Sequence, residues 1–490
     1  MGRLPALRDL AVRLPAALMI VIGGLAANCL VVGTAHAVTP DDYFGVNAQP
    51  LFTEPASSWP PQLAAMAVGG LQLVRTDARW ADVEPSPPNR GVHTYRWSEY
   101  DAIVQALAQQ GLRWYPALEV APAWAAAGAG DPSPASSHAA DFAAFAGTLA
   151  ARYGSRGSFW RSHPSLAALP VEDYEIWNEE NSTVFWLSQA DAPERYADLY
   201  LLARQAVRAA DPPARVVVGG LALGDAPLAQ DEVGFLARMV AHRPDLRGLV
   251  DGVGLHPYQA TLPDLYARLD HVRAAVDFAL GSSVPIDVTE AGWTTALVSE
   301  QQRAENVAAL ATDLPRSDCG VDRLLVYSWL SADSNLLDPE AWFGIWNQNG
   351  SAKQSGQAYT QAVLSMRGLS ARPPPGGTLD LCPSSAAAES AGRGATVRGP
   401  TLRLRTLVNR HRRQLTVLAR CPTGCTLKLA LMRRHASRLT PVAHRSTRFS
   451  KRRWRIGLRY PRRARHLQLN VVATGAGGGR TTRVRRIRVR

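Results

Sequence analysis

The sequence predicts an α/β protein: a (β/α)8 TIM barrel followed by a small antiparallel β-sandwich-like domain. Three observations predict it. Eight short apolar runs alternate with longer amphipathic stretches between residue 38 and about residue 365. A stretch rich in Pro, Gly, Ser and Ala follows. Beyond it the apolar period drops to two, with Arg at many of the intervening positions.

The eight runs are "YFGVNA", "LQLVRTD", "RWYPALEV", "YEIWNEE", "RVVVGGLAL", "VDGVGLHPY", "PIDVTEAGW" and "RLLVYSWLS". Near-continuous apolar runs of this length suit parallel strands covered on both faces. Between them, "SEYDAIVQALAQQG" (98–111) and "PERYADLYLLARQAVRAADP" (193–212) space apolar residues by three and four, as helices do. Gly111 and the Asp211-Pro212 pair end them. Eight such repeats fit a closed barrel. The other architecture for this alternation, a doubly wound open sheet, usually has a Gly-rich phosphate loop after its first strand. Here that position reads "FGVNAQP".

The N-terminus has its own logic. "MGRLPALRDLAVR" supplies Arg3, Arg8 and Arg13, an apolar run spans Leu14–Gly33, and Ala35-His36-Ala37 offers a small-residue cleavage site. Residues 1–37 are therefore expected to be a signal peptide, and the protein secreted or bound at the cell surface. The apolar run is nearly long enough to span a bilayer, so an uncleaved signal is the alternative and the one route to a membrane. Asn28 before Cys29 is not the small residue a lipoprotein site takes. The other four cysteines can pair in an oxidising compartment. Cys421 and Cys425 in "CPTGC" are expected to close a small disulfide loop, and Cys319 and Cys382 to form a second bridge. No second ligand pair accompanies "CPTGC", so no metal is expected there.

The predicted domains are then residues 38–370 for the barrel, 371–395 for a spacer stiffened at its Pro end, and 396–490 for a basic all-β domain. Its strands are expected in "TLRLRTLV", "RQLTVLAR", "TLKLALM", "WRIGLRY", "HLQLNVVAT" and "TTRVRRIRVR", six or seven in all. Charge follows the same division. The chain carries +13 overall, yet residues 401–490 hold 26 Lys and Arg and no Asp or Glu, leaving 28 basic against 41 acidic residues in 1–400. A basic domain of this kind is expected to hold an anionic cell-surface polymer through summed charge. The alternatives are an ordinary wet sandwich face and attraction to the acidic barrel. Nucleic acid is not expected, because the chain reads as secreted and has no nucleic-acid motif.

In a barrel of this type the chemistry lies where the strands end. The second run ends in Arg75-Thr76-Asp77, the fourth in Asn178-Glu179-Glu180, the sixth in His256-Pro257-Tyr258, the seventh at Glu290 and the eighth at Ser328-Trp329. Two carboxylates facing each other across a polar, aromatic ring are what glycosidic bond cleavage needs. Either Glu alone would read as a surface carboxylate. The pair, with Asn before one of them, reads as a site. Glu180 is expected to support the site or face solvent.

Arg75, "WNE" (177–179), "HPY" (256–258), "TEAGW" (289–293) and Trp329 together resemble glycoside hydrolase clan A, families 39 and 5, over roughly residues 40–365. That resemblance implies a retaining glycosidase. It makes Glu179 the acid/base and Glu290 the nucleophile, with Asn178 on the sugar 2-hydroxyl. Arg75 would keep Glu290 ionised, His256 or Tyr258 would orient a catalytic carboxyl, and Trp329, with Trp293 beside it, would stack on the sugar. Family 5 has a His at the end of the third strand; this chain reads "ALEVAPAW" there, with Glu119 near the place, so the likeness leans to family 39. No cofactor or metal is expected, and the partner is an oligo- or polysaccharide. A second reading, from another class, is a non-catalytic carbohydrate-binding or wall-associated protein on the same scaffold. The absent third-strand His keeps it open, and the presence of both carboxylates argues against it.

Overall fold

A computed structural model of the chain describes residues 39–224, 229–334 and 338–384, and beyond them seven strands with a few flanking residues between 403 and 489. The expected signal peptide, residues 385–402 of the spacer region, and Cys421, with its expected bridge to Cys425, lie outside the described residues.

The eight predicted runs form one closed parallel barrel. Its strands are β1 (Phe44–Asn47), β2 (Leu73–Arg79), β3 (Arg113–Glu119), β4 (Asp173–Asn178), β5 (Arg215–Leu221), β6 (Gly252–Leu255), β7 (Ile286–Ala291) and β8 (Val321–Val326). β1 pairs with β2 on one side and with β8 on the other, which closes the ring. Helices cover the outside. The helix Ala192–Ala210 buries Tyr196, Leu199, Tyr200, Ala203 and Val207, one stripe at three- and four-residue spacing, and starts with Pro193 in its first turn, where the missing N–H costs nothing. Ser299 and Thr261 cap the helices Glu300–Asp313 and Leu262–Ala279 by accepting from the backbone N–H of Gln302 and Asp264.

The inside of the barrel is layered. Near the strand starts, Arg215 and Arg323 pair with Asp173, Arg215 also lies 3.3 Å from Asp287, and Tyr115 donates to Asp287 at 3.0 Å. Buried charges survive there because each has an opposite partner. Leu73, Tyr115 and Leu325 form a small apolar plug, and Arg75 and Glu175 also lie inside the barrel, buried against each other.

Cys319 is bonded to Cys382. Asp318 accepts from the backbone N–H of Leu381 (2.9 Å) and Cys382 (2.8 Å), Asp270 accepts from Ser384, and Leu379 bridges to Ser317. The first half of the stretch read as a spacer is thus bound to the barrel. Its composition carries no apolar period because hydrogen bonds and one disulfide, rather than a buried face, hold it. Among the described residues no helix is long and apolar enough to cross a membrane.

The C-terminal domain has two antiparallel sheets. One contains β9 (Arg403–Asn409), β10 (Gln414–Arg420) and β13 (Arg453–Arg459); the other contains β11 (Cys425–His435), β12 (Arg438–Phe449), β14 (His466–Thr474) and β15 (Arg480–Arg488). Leu404, Leu415, Val417, Ile456 and Leu458 of the first sheet share one core with Leu429, Leu431, Leu469 and Val471 of the second. That is a sandwich. β12 is not among the six quoted runs. Pro441 interrupts its alternation, at a bulge where the register with Leu431 and Met432 shifts.

Candidate active site

The fourth strand holds the first carboxylate, and a change of phase places it. Glu175 points into the barrel. Ile176 and Trp177 both pack outside it, in the shell between strands and helices. Two successive residues on one side break the period of two. The break falls at Trp177, whose φ of 76° is in the left-handed region. Its indole is held outside by Phe142, Trp186 and a bond to the Phe185 carbonyl at 3.0 Å. Asn178 is thereby turned inward, and Glu179, also left-handed at φ 46°, is carried to the mouth. Such conformations in non-glycine residues cost free energy and collect at functional sites. Asn181 staples the following loop, exchanging hydrogen bonds with Ala222 and donating to the Gln230 carbonyl. Glu180 is not solvent-facing. It is fully buried against Gly219 and Tyr196, and burial pushes its carboxyl well up.

Arg75 organises the inner wall. It is 1% exposed and donates to Glu175 (2.6 Å), Asn178 (2.7 Å), Glu290 (2.7 Å) and Asn47 (2.9 Å). A guanidinium presents its donors in a fixed planar fork, so four acceptors at these lengths fix one another's positions. Asn47 is fixed again by donating to the Thr289 carbonyl at 2.8 Å, and Thr289 donates to Glu175 at 2.8 Å.

Glu290 is therefore gripped from several sides. Arg75 holds Oε1, and the Tyr258 hydroxyl donates to Oε2 at 2.8 Å. His256 Nδ1 lies 2.9 Å from Glu179 Oε1 and 3.6 Å from Glu290 Oε2, between the two carboxylates. The His256 ring lies hard against Gly220, where a Cβ would sit 2.0 Å from Nε2. The glycine is there because nothing larger fits. One oxygen of Glu179 and one of Glu290 lie within 4.8 Å of each other.

Burial dominates the electrostatics. It pushes Glu179 up to about 7 against the pull of Arg75. It also raises Glu290, with His256 and Arg75 pulling down and Glu179 pushing up. The sequence reading had Arg75 keeping Glu290 ionised. The ion pair is present, but desolvation outweighs it. Burial pushes His256 below its usual value, so the ring is neutral here, with Nδ1 hydrogen-bonded to Glu179. Among the described residues, Glu179, His256 and Glu290 are also one group whose atoms converge closely enough to take a cation. The Arg75 guanidinium already supplies positive charge to Glu290 at 2.7 Å.

The two tryptophans singled out lie deeper than the carboxylates. Trp329 is fully buried, its N–H donates to Gln62 at 2.8 Å, and one ring face is stacked on Trp346 at 4.4 Å. Trp346 is the member of that pair that reaches solvent. Trp293 is 4% exposed with its indole N–H unpartnered among the described residues. Tyr258 packs edge-on against Tyr327 and Phe343. Sequence reasoning missed Asn47, Glu175, Gly220 and Phe343. Asn47 and Glu175 carried a signal, since each is a polar residue at an inward position of an otherwise apolar run. Gly220 and Phe343 carried none, because only the folded neighbourhood gives them a role.

No family model matches the chain, and no curated protein matches it in sequence. Solved structures share its fold. A family 39 glycoside hydrolase from the gut symbiont Bacteroides cellulosilyticus aligns with a TM-score of 0.50 and 16% identity, over 85% of this chain and 80% of that one. A family 39 β-xylosidase from Caulobacter crescentus aligns with a TM-score of 0.51 and 18% identity, over 80% and 82%. A glucosidase from Croceicoccus marinus aligns with a TM-score of 0.51 and 15% identity, over 85% and 93%. At these identities the likeness is one of fold: this barrel is the one on which those glycoside hydrolases are built.

Proposed function

We propose that the protein is a retaining glycoside hydrolase that cleaves β-linked O-glycosidic bonds by double displacement. One observation carries the reading: Glu179 and Glu290 flank His256 Nδ1, 2.9 Å from one and 3.6 Å from the other, so that one oxygen of each lies within 4.8 Å of the other. Retaining enzymes hold their carboxyls about 5–5.5 Å apart, and inverting ones need ~6.5–9.5 Å to admit a water. The shared fold with glycoside hydrolases supports it.

In this mechanism Glu290 attacks the anomeric carbon. Its two oxygens are already oriented by Arg75 and Tyr258, so little reorganisation is needed. Glu179, held protonated by burial, gives its proton to the departing oxygen. The resulting ester carries no charge at Glu290, which removes the repulsion between the two carboxylates. Glu179 then ionises more readily and takes a proton from the water that frees the sugar. Asn178, fixed by Arg75, is placed to bond the 2-hydroxyl, a contact that strengthens as charge develops on the ring. His256, hydrogen-bonded to Glu179 at 2.9 Å, orients it.

The test is a panel of aryl β-glycosides (glucoside, xyloside, mannoside, galactoside) with β-glucan, xylan and mannan. Wild type, Glu179→Ala and Glu290→Ala are compared, with folding checked by circular dichroism. Cleavage by wild type and its loss in both variants supports the reading; equal cleavage by the variants refutes the site. The N-terminal leader pattern and the Cys319–Cys382 bond support action outside the cytoplasm, which fractionation and N-terminal sequencing of the mature protein check. The acid-free 401–490 segment would then hold the enzyme on an anionic polymer, seen as retention on that polymer that salt releases.

A further inference from the structure

Two carboxyl side chains at the barrel mouth have no part in the chemistry above. Asp77 and Glu119 stand near the ends of β2 and β3, in phase with the inward residues Arg75 and Tyr115 of the same strands. Glu119 is 3% exposed, and its Oε2 has no hydrogen-bond partner among the described residues. It is the last residue of β3, paired with Arg79 of β2, at the end of the barrel where Asn178 ends β4, and it interacts electrostatically with Asp77, Arg75, Arg79 and Glu290. Buried acceptors in folded proteins nearly always have a donor. This one lies at the end of the barrel that carries Asn178 and Glu179.

Among the described residues, neither carboxyl has a salt bridge to a cation of its own. Arg75 is committed to Glu175, Asn47, Glu290 and Asn178. Arg79 lies 3.7 Å from Asp82, on a side chain 45% exposed. Burial raises both carboxyls, so each can hold a proton and donate as well as accept. A sugar diol has matching groups, since each hydroxyl is both donor and acceptor.

We propose that Asp77 and Glu119 line the glycone subsite, bind neighbouring hydroxyls of a neutral sugar, and refuse a glycone that bears a carboxylate. The proposal rests on the glycosidase reading. A uronic acid would add a negative charge beside Asp77, Glu119, Glu179 and Glu290, with one buried guanidinium already shared among four acceptors. A neutral sugar brings the missing donors and no charge.

The experiment compares kcat/KM for the best aryl β-glycoside, its 3-deoxy and 4-deoxy analogues and its uronic acid counterpart. Wild type, Asp77→Asn, Glu119→Ala and Glu119→Gln are used. A 2-deoxy-2-fluoro glycosyl fluoride labels Glu290 for mass spectrometry as an independent check of the nucleophile and of folding. Wild type should lose about 10- to 100-fold on removal of the contacted hydroxyl, the worth of a hydrogen bond to an ionisable group. Glu119→Ala should lose that factor on the parent glycoside and then be indifferent to the deletion, and Asp77→Asn should show a smaller version of the same pattern. Glu119→Gln should narrow the preference for the neutral glycone over the uronide by about 10-fold. Labelled Glu290 with the same deoxygenation factor in wild type and Glu119→Ala overturns this proposal alone. A wild-type preference for the uronide also overturns it. If no glycoside turns over and Glu290 takes no label, the glycosidase reading falls and this proposal falls with it.

Discussion

Glu179→Gln replaces a carboxyl that burial holds at about 7 with a neutral amide of the same shape. The gap from the ordinary value of 4.5, at about 1.4 kcal/mol per pH unit, is worth about 3 kcal/mol. The sign follows from linkage. A folded-state value above the unfolded one means the native state binds the proton more tightly. The stabilisation is full below pH 4.5 and is lost as the pH rises through about 7. About 2.5 kcal/mol of it falls between about pH 5 and about pH 9. The Glu179 side chain is 20% exposed, too little for water to screen that term away. The variant lacks the term, so its unfolding free energy should fall by about 2.5 kcal/mol less than that of wild type between those pH values. Loss of the Glu179 charge also lowers Glu290, which acts in the same direction. Urea unfolding of both proteins at about pH 5, 7 and 9 measures the difference directly. In the same variant, glycosides with poor leaving groups should lose about 10²- to 10⁴-fold in rate, while dinitrophenyl glycosides, which need no proton, should keep their glycosylation step. A stability difference that does not change with pH would refute the description of Glu179 as a desolvated acid.

Three other changes test the surroundings. Tyr258→Phe removes the 2.8 Å donor to Glu290 Oε2; because that bond favours the ionised form, the acid limb of kcat/KM should move up by about one pH unit. Gly220→Ala would put a Cβ 2.0 Å from His256 Nε2, so the ring must shift from its place beside Glu179; about 1–3 kcal/mol of stability and most of kcat should go, as a thermal midpoint and a rate will show. Replacing Cys319 and Cys382 together by Ser opens a loop of sequence separation 63; chain entropy puts the loss at about 4 kcal/mol, measurable in urea with and without reductant.

The barrel was legible in the sequence because strands covered on both faces leave near-continuous apolar runs, and each of the eight runs is one strand. Polar residues at the ends of those runs announced the mouth: Arg75, Asn178, Glu179, His256, Tyr258 and Glu290 converge in space from four strands and their ends. What was not legible depends on local breaks in period. The reversal at Trp177 puts Asn178 on Arg75, where strict alternation from Glu175 would have turned it outward. The depth of Trp329 comes from Trp346 on a later loop, which no strand pattern announces. The Cys319–Cys382 bridge was legible from the cysteine count, but the docking of residues 379–384 on the barrel was not, since hydrogen bonds to Asp318 and Asp270 leave no periodic trace.

That bridge also sets how the barrel bears load. Tension arriving along the chain from the C-terminal side passes the Ser384–Asp270 hydrogen bonds and then, at Cys382, a covalent bond to Cys319, two residues before β8. The helix Gln354–Met366, whose Tyr359 donates to the Gly45 carbonyl of β1, lies inside the closed loop and is shielded from the pull. An enzyme moored by its tail could be dragged by flow without its last helix being peeled from the strand that seals the ring. Under reduction the same force would act on that helix directly.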